Sequence, residues 1–418
     1  MSTRTLHVVA AVQSYAPAVG GAQHLLASIL ESWVAQGHRA TVITYNATST
    51  RELKGRGAGL PPSETLNGVD IIRVSPAGGW PSQLLYQVSR RRVLGGITRA
   101  LTGLDAPYWG DRPNAFALSH ALRRCDPDVL LSVGWFSRHV PLTHAVARAR
   151  GIPIVGLPLF HLERPSASWP RHRWLCRSTS ALVALTPPEA VHAQTLGARD
   201  VQVIAPGIAA NWAAHANGPS WRAARGISAD RPVVLFVGRQ VRHKGAPLLI
   251  AAMQQVWHEC PEALLVFAGR SHNRDAETTA AMDQLQPAER DRVLLADDFS
   301  NEEAPSLLQS CSVLAMPSVQ DSFGLVYLQA WSAGRPVIGA DVASTRSIVR
   351  HGENGLLVPP NDKSALAQAI LSCVRNPAYA DQLGRAGQER ANSAYPLRAQ
   401  HEEWRLLLER ISHSRSKT

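Results

Sequence analysis

Residues 317–336 read PSVQDSFGLVYLQAWSAGRP. A Pro-Ser turn opens the segment. Asp321 then precedes a small–aromatic–Gly run, Ser322, Phe323 and Gly324, and an apolar stretch runs on to Ala333-Gly334-Arg335-Pro336. This order predicts a loop feeding a helix. Helix N-terminal N–H groups donate hydrogen bonds to phosphate oxygens. A carboxylate at the helix mouth, with backbone amides at Phe323, Gly324 and Leu325, therefore suits a sugar diphosphate. Gly324 lets a ligand approach the backbone closely. Gln329 lies eight residues after Asp321, about two helical turns on, so it can share that face and reach the ligand's other end. Taken alone, the segment also fits a buried helix after a loop.

A second block lies upstream. Phe236-Val237-Gly238-Arg239-Gln240-Val241-Arg242-His243-Lys244-Gly245 directly follows a predicted strand, Val233–Val237. Lysine is rare in this chain, at positions 54, 244, 363 and 417 only. One of them stands five residues after an arginine, at the C-terminal end of a strand, where open α/β sheets bind ligands. Arginine offers a planar fork and lysine a point charge, a suitable pair for a diphosphate. The bland alternative is a solvated basic loop.

The rest of the chain alternates in the same way. Leu6–Val12 reads as a buried strand, 17–21 as a loop, Gln23–Gln36 as a helix ended by Gly37, and Ala40–Thr44 as the next strand. Further strands are expected at 127–133, 153–159, ending at Phe160-His161, then 181–185 and 201–204. Asn217-Gly218-Pro219 and Gly226 interrupt the pattern. It then restarts with a helix at 247–258 and strands at 263–267, 293–295, 313–316 and 336–339. The reading is an α/β protein of two Rossmann-like domains facing a cleft. The first domain spans 1–210, a linker 211–230, the second domain 231–395, and a C-terminal helix and tail 396–418. Leu397, His401, Trp404, Leu407, Leu408 and Ile411 recur at helical spacing.

Composition narrows the class. In 418 residues, 45% are hydrophobic and 18% charged, as in a globular protein. The five cysteines are scattered, with no C-x-x-C pair, which argues against a disulfide framework or a zinc site. Residues 5–30 lack charge, but the apolar run is short and broken by His7, Gln13, Pro17 and Gly20-Gly21, so a strand, loop and helix explain it better than a signal peptide. No segment approaches the ~20 apolar residues of a membrane span. Of the net charge of +11, almost all sits in residues 1–210, with 21 Lys+Arg against 11 Asp+Glu. Such a field favours an anionic surface or substrate. Asp126-Pro127-Asp128 matches a D-x-D metal pattern by letters, but it precedes a buried strand, so no metal is expected there.

The Asp321–Gln329 block resembles the E-x7-E block of retaining GT-B glycosyltransferases of family 4, also called glycosyl transferases group 1. Arg239 and Lys244 are similar to that family's G-R-x4-K-G phosphate site. Gly20-Gly21 resembles its G-G loop, and Glu353-Asn354-Gly355-Leu356-Leu357-Val358 its N-G-L-L-V turn. The resemblance is strong over about 230–360 and weaker over 1–210. It implies that Arg239 and Lys244 neutralise the leaving diphosphate and that Asp321 contacts the donor sugar. It implies too that His161 bonds the transferred sugar and that Gly20 and Gly21 touch the donor. Ser322, Phe323, Gly324, Leu325 and Gln329 would complete the donor site. The C-terminal helix would cross back to brace the first domain. Both acids of the block have changed, to Asp321 and Gln329, which implies a shifted or different sugar and weaker nucleotide binding.

The function expected on this resemblance is retaining transfer of a sugar from a nucleotide donor to a hydroxyl acceptor, such as a surface-glycan, lipid-linked or glycolipid precursor. A UDP-sugar is favoured as donor and a GDP-sugar is possible. No cofactor, metal or nucleic acid is expected. The alternatives are a non-catalytic nucleotide-sugar-binding protein and a GT-B nucleotide-sugar epimerase. Residues 80–109 carry Arg90-Arg91-Arg92 and Arg99 among Leu84, Leu85, Tyr86, Val93, Leu94, Ile97 and Leu101. That pattern suits an anionic bilayer surface, and equally a solvated helix pair at an acceptor cleft. A cytoplasmic protein, peripheral at the inner face of the cell membrane, is the resulting expectation.

Overall fold

The computed structural model describes residues 4–55, 57–77, 114–164, 170–269, 274–297 and 299–415. The basic segment 80–109 lies outside the described residues. The chain divides into two compact units. The first comprises Met1–Phe160, Pro165–Ile204 and His401–Thr418, and the second His161–Arg164 and Ala205–Gln400.

The first unit is built on β1 (His7–Ala11), β2 (Arg39–Tyr45), β3 (Ser63–Leu66), β4 (Val69–Val74), β5 (Val129–Val133), β6 (Ile154–Leu157), β7 (Ala181–Ala184) and β8 (Val201–Val203). Their order in the sheet is β3-β4-β2-β1-β5-β6-β7-β8. All neighbours are parallel except β3 and β4. That hairpin turns at Asn67-Gly68, both at positive φ, the Asn-Gly turn that matches strand twist. β1, β5, β6 and β7 are buried almost throughout. Such strands read as continuous apolar runs because helices cover both faces. Asp128 closes the lower edge. Its carboxylate accepts the His7 amide at 2.8 Å and Arg4 at 2.8 Å, a structural use of the D-x-D letters.

The second unit carries β9 (Val233–Val237), β10 (Leu264–Ala268), β11 (Val293–Ala296), β12 (Val313–Met316), β13 (Val337–Ala340) and β14 (Leu356–Val358). Their order is β11-β10-β9-β12-β13-β14, all parallel. This is the doubly wound order, and the strand direction of travel reverses between β9 and β12, where such sheets open a crevice for ligands. Both units are Rossmann-like α/β domains, as the alternation predicts.

Residues 211–230 are more ordered than a linker. Asn217 caps a helix, Gly218–Ala223, by accepting the Ser220 amide at 2.9 Å, with Pro219 in its first turn. The Asn-Gly-Pro run is thus a helix start, a role proline fills because its missing N–H is not needed there. The helix is fastened to the Ala304–Ser310 helix, with Arg222 Nε on the Ser310 carbonyl at 2.8 Å.

The last helix, Leu397–Arg415, begins in the second unit and belongs to the first from His401. Trp404, Leu407, Leu408 and Ile411 are buried, His401 Nε2 meets Ser28 Oγ at 2.8 Å, and Arg410 pairs with Asp200 at 2.7 Å. The C-terminal helix therefore does return to the first domain. Within the second unit its start is tied to the outgoing connection: the Ile208 amide donates to the Tyr395 carbonyl at 2.9 Å, and the Gly207 amide to Gln400 Oε1 at 2.9 Å.

Candidate active site

Three segments of the second unit meet at the crevice between β9 and β12. The first follows β9. Gly238 takes φ 137° and Gly245 φ 83°, conformations that side chains resist. A Cβ on Gly245 would lie 2.6 Å from Pro317, so its absence lets this loop lie against the next. Between the glycines, Arg239 to Lys244 are braced on several sides. The fully buried Gln240 donates to the Gly269 carbonyl at 2.7 Å, and the Arg242 amide donates to Asp275 at 2.6 Å. Asp275 also caps the Ala276–Asp283 helix. Gln240 and Asp275 have no recognisable sequence signal, because their partners are 29 and 33 residues away.

The second segment follows β12. The Val319 amide and Ser318 Oγ both donate to the His243 carbonyl, at 3.1 and 3.2 Å, which locks the two loops together. Gly324, at φ 98°, precedes the Leu325–Ser332 helix. A Cβ there would lie 2.7 Å from the Tyr327 ring. That ring is fully buried and its hydroxyl donates to the Met316 carbonyl at 2.9 Å. Among the described residues the amides of Phe323, Gly324 and Leu325 have no hydrogen-bond acceptor. Phe323 is buried edge-on to Tyr395, with ring centroids 5.7 Å apart. Gln329 lies half-buried two turns into the helix.

The third segment is His161–Arg164. The expected strand through 159 stops at Leu157, since Pro158 has no N–H for the ladder. Leu159 then turns into the left-handed region at φ 57°. His161 is therefore not a strand end. It lies four residues past β6, among second-unit residues. Burial, then the nearby Arg164 charge, pushes its imidazole down to about 4, against a smaller raising effect of Asp321. His161 is thus neutral at pH 7 and can donate or accept a hydrogen bond. His243 is likewise lowered to about 4, by burial and then Arg239, whose Nη2 lies 3.4 Å from its Nε2.

Lys244 and Asp321 form a direct ion pair, with side chains 19% and 14% exposed. The structure thus joins Arg239, Lys244, Asp321, Gly324 and His161 in one unit. Gly20 and Gly21 lie in the first unit, after β1 and at the start of the Gly21–Ala35 helix. Gly20 is extended, at φ 170°. Arg164, absent from the sequence-based set, donates through Nε to Gln320 Oε1.

The family profile described as Glycosyltransferase Family 4 matches residues 19–212, and the one described as Glycosyl transferases group 1 matches 218–390. The D-inositol 3-phosphate glycosyltransferase of Kribbella flavida is 30% identical over 354 residues, covering 77% of this chain and 82% of that relative. The chain belongs to the group 1 glycosyltransferases. A shorter match, 32% over 171 residues, links it to the alpha-maltose-1-phosphate synthase of Mycolicibacterium smegmatis; it covers 40% of this chain and 44% of that protein. Among solved structures, HepE of Anabaena in complex with UDP-glucose superposes with a TM-score of 0.72 at 18% identity, covering 97% of this chain and 99% of that one. The fold of this group 1 glycosyltransferase is thus the two-domain GT-B arrangement.

For a member of this family, the crevice offers two kinds of anion ligand together. One is a pair of cations, Arg239 and Lys244, on a loop held by hydrogen bonds to Gly269, Asp275 and the segment after β12. The other is a set of backbone amides at the start of an eight-residue helix. Among the described residues no group of three or more His, Cys, Asp or Glu is placed to hold a metal ion, and no helix is long and apolar enough to cross a membrane.

Proposed function

We propose that this chain is a retaining glycosyltransferase whose nucleoside-diphosphate sugar lies in the second unit. The observation that carries the reading is the meeting of Arg239, Lys244 and the open amides of Phe323–Leu325 at the β9/β12 reversal. Lys244 leaves Asp321 for the diphosphate when the donor binds, and Asp321 is then free to accept hydroxyl protons of the sugar. Gln329 bonds the ribose hydroxyls, and neutral His161 bonds the transferred sugar. On the family resemblance, Gly20 and Gly21 also touch the donor.

The C1–O bond to the diphosphate breaks through an oxocarbenium-like state. The acceptor hydroxyl attacks C1 on the same face, and its proton passes to the departing phosphate oxygen. Nucleoside diphosphate and glycoside are the products. Charge grows on the leaving oxygen, so the cations bind the transition state more tightly than the ground state, and that difference accelerates the reaction. No cofactor enters.

A UDP-sugar is the favoured donor, supported by the UDP-glucose complex of the Anabaena relative, with a GDP-sugar second. The acceptor is assigned as a surface-glycan, lipid-linked or glycolipid precursor. The Arg-rich segment 80–109 would dock reversibly on the anionic inner face of the cell membrane. Liposome sedimentation with and without anionic lipid tests that docking; equal, negligible binding at low and high salt overturns it.

A thermal-shift panel of UDP, GDP and ADP with their sugars, followed by incubation with labelled donor, tests the central reading. Release of nucleoside diphosphate with a sugar of retained configuration supports it. Binding without turnover points instead to a non-catalytic binder, and an altered sugar on an intact nucleotide to an epimerase.

A further inference from the structure

The cation pair expected from the sequence is weaker than it looks. Lys244 is already neutralised by Asp321. Arg239 alone then leaves a single uncompensated charge, against a donor diphosphate that carries more than one and gains charge as it departs. The crevice has another cation. Arg164 arrives on the four-residue excursion His161–Arg164. Its Nε donates to Gln320 Oε1, and Gln320 immediately precedes Asp321. The loop that holds Gln320 is itself fastened to the lysine loop through the His243 carbonyl. Arg164 is thus set in a braced frame.

An arginine beside two acids usually pairs with one of them. Arg164 does not. Among the described residues its partner is the neutral Gln320 amide, and Asp321 is held by Lys244. Glu163, next in the chain, makes no ion pair with it among the described residues, and burial pushes that carboxyl above its usual range. The one Nε contact orients the guanidinium and leaves its two terminal nitrogens for another ligand, in the fork that suits phosphate oxygens.

We propose that Arg164 is a third cation of the diphosphate clamp and that it binds the donor's diphosphate directly. This rests on the proposed donor site. It adds a residue from outside the two sequence blocks that define that site. With Arg239 and Arg164 making no ion pair among the described residues, the clamp keeps a surplus of positive charge even though the Asp321 carboxylate stays in the crevice when Lys244 turns to the diphosphate.

Isothermal calorimetry with UDP, UMP, uridine and inorganic pyrophosphate, on wild type, Arg164→Ala and Arg164→Lys, tests it. Charge-assisted hydrogen bonds correspond to about tenfold or more in affinity. Arg164→Ala should weaken UDP and pyrophosphate by about that factor, UMP less, and uridine not at all. Arg164→Lys should restore part of the loss, and the wild-type advantage should shrink as salt rises. A merely structural role would weaken uridine and UDP alike. That outcome, or unchanged UDP affinity in Arg164→Ala, overturns the proposal. Wild type that binds none of UDP, GDP or ADP overturns the donor-site reading beneath it, a result the Arg164 variants cannot produce by themselves.

Discussion

Lys244→Ala removes a phosphate ligand and strands a carboxylate. The two side chains of the Lys244–Asp321 pair are 19% and 14% exposed. That lies between a surface pair, worth at most about 1 kcal/mol, and a buried pair whose severing costs about 3–5 kcal/mol. A loss on the order of 2 kcal/mol follows. At roughly 2–4 °C per kcal/mol for a domain of this size, the melting midpoint should fall by about 5 °C. Turnover falls for a separate reason, because loss of one preorganised electrostatic contact costs about 10²–10³-fold. The double variant Lys244→Ala/Asp321→Asn separates the two effects. It removes the stranded charge, so the midpoint should recover while turnover stays low. Scanning calorimetry reads the first quantity, and release of nucleoside diphosphate from the donor reads the second. Near-wild-type turnover in Lys244→Ala, or turnover that recovers with the midpoint in the double variant, would refute the clamp. An unchanged midpoint in the single variant would refute the ion pair.

Gln329→Glu should preserve or tighten donor binding, since a carboxylate accepts ribose hydroxyl protons more strongly than an amide; identical donor affinity in the Glu and Ala variants by calorimetry would make Gln329 structural. Gly324→Ala should lower both stability and donor binding, because the position takes φ 98° and an added Cβ would lie 2.7 Å from the pinned Tyr327 ring; wild-type behaviour in both assays would count against the described turn. Acid should destabilise the first unit early. His144 is fully buried between Ser178 and Ser132, and burial lowers it to about 3. Between pH 6.5 and its folded value the unfolded chain binds more protons, so stability falls as pH falls, by about 2 kcal/mol at pH 5. The urea midpoint should drop over pH 7–5, and His144→Gln should flatten the drop; equal slopes in the two proteins would refute the assignment.

Much of the fold is legible in local pattern. β9 and β12 fall where their apolar runs begin and end, at Val233–Val237 and Val313–Met316, because buried parallel strands are written as continuous hydrophobic stretches. The C-terminal helix shows its buried face in the spacing of Trp404, Leu407, Leu408 and Ile411. The Ser63–Val74 hairpin is harder to read. β3 is exposed throughout, so no alternation marks it, and only Asn67-Gly68 gives it away. Of the site, the sequence shows the residues that follow a strand directly. It does not show pairings made by folding. Lys244 meets Asp321 across 77 positions and Arg164 meets Gln320 across 156. Nothing near Arg164 in the chain marks it as a site residue, because the proline that stops β6 and the left-handed Leu159 redirect the backbone only in three dimensions.

A crystal structure with UDP bound decides the donor clamp. The diphosphate should sit between β9 and β12, its oxygens within hydrogen-bond reach of the Phe323–Leu325 amides and of Arg239, with Lys244 Nζ turned from Asp321 onto phosphate. UDP bound elsewhere, or bound there with the Lys244–Asp321 pair intact and the amides unused, would contradict it.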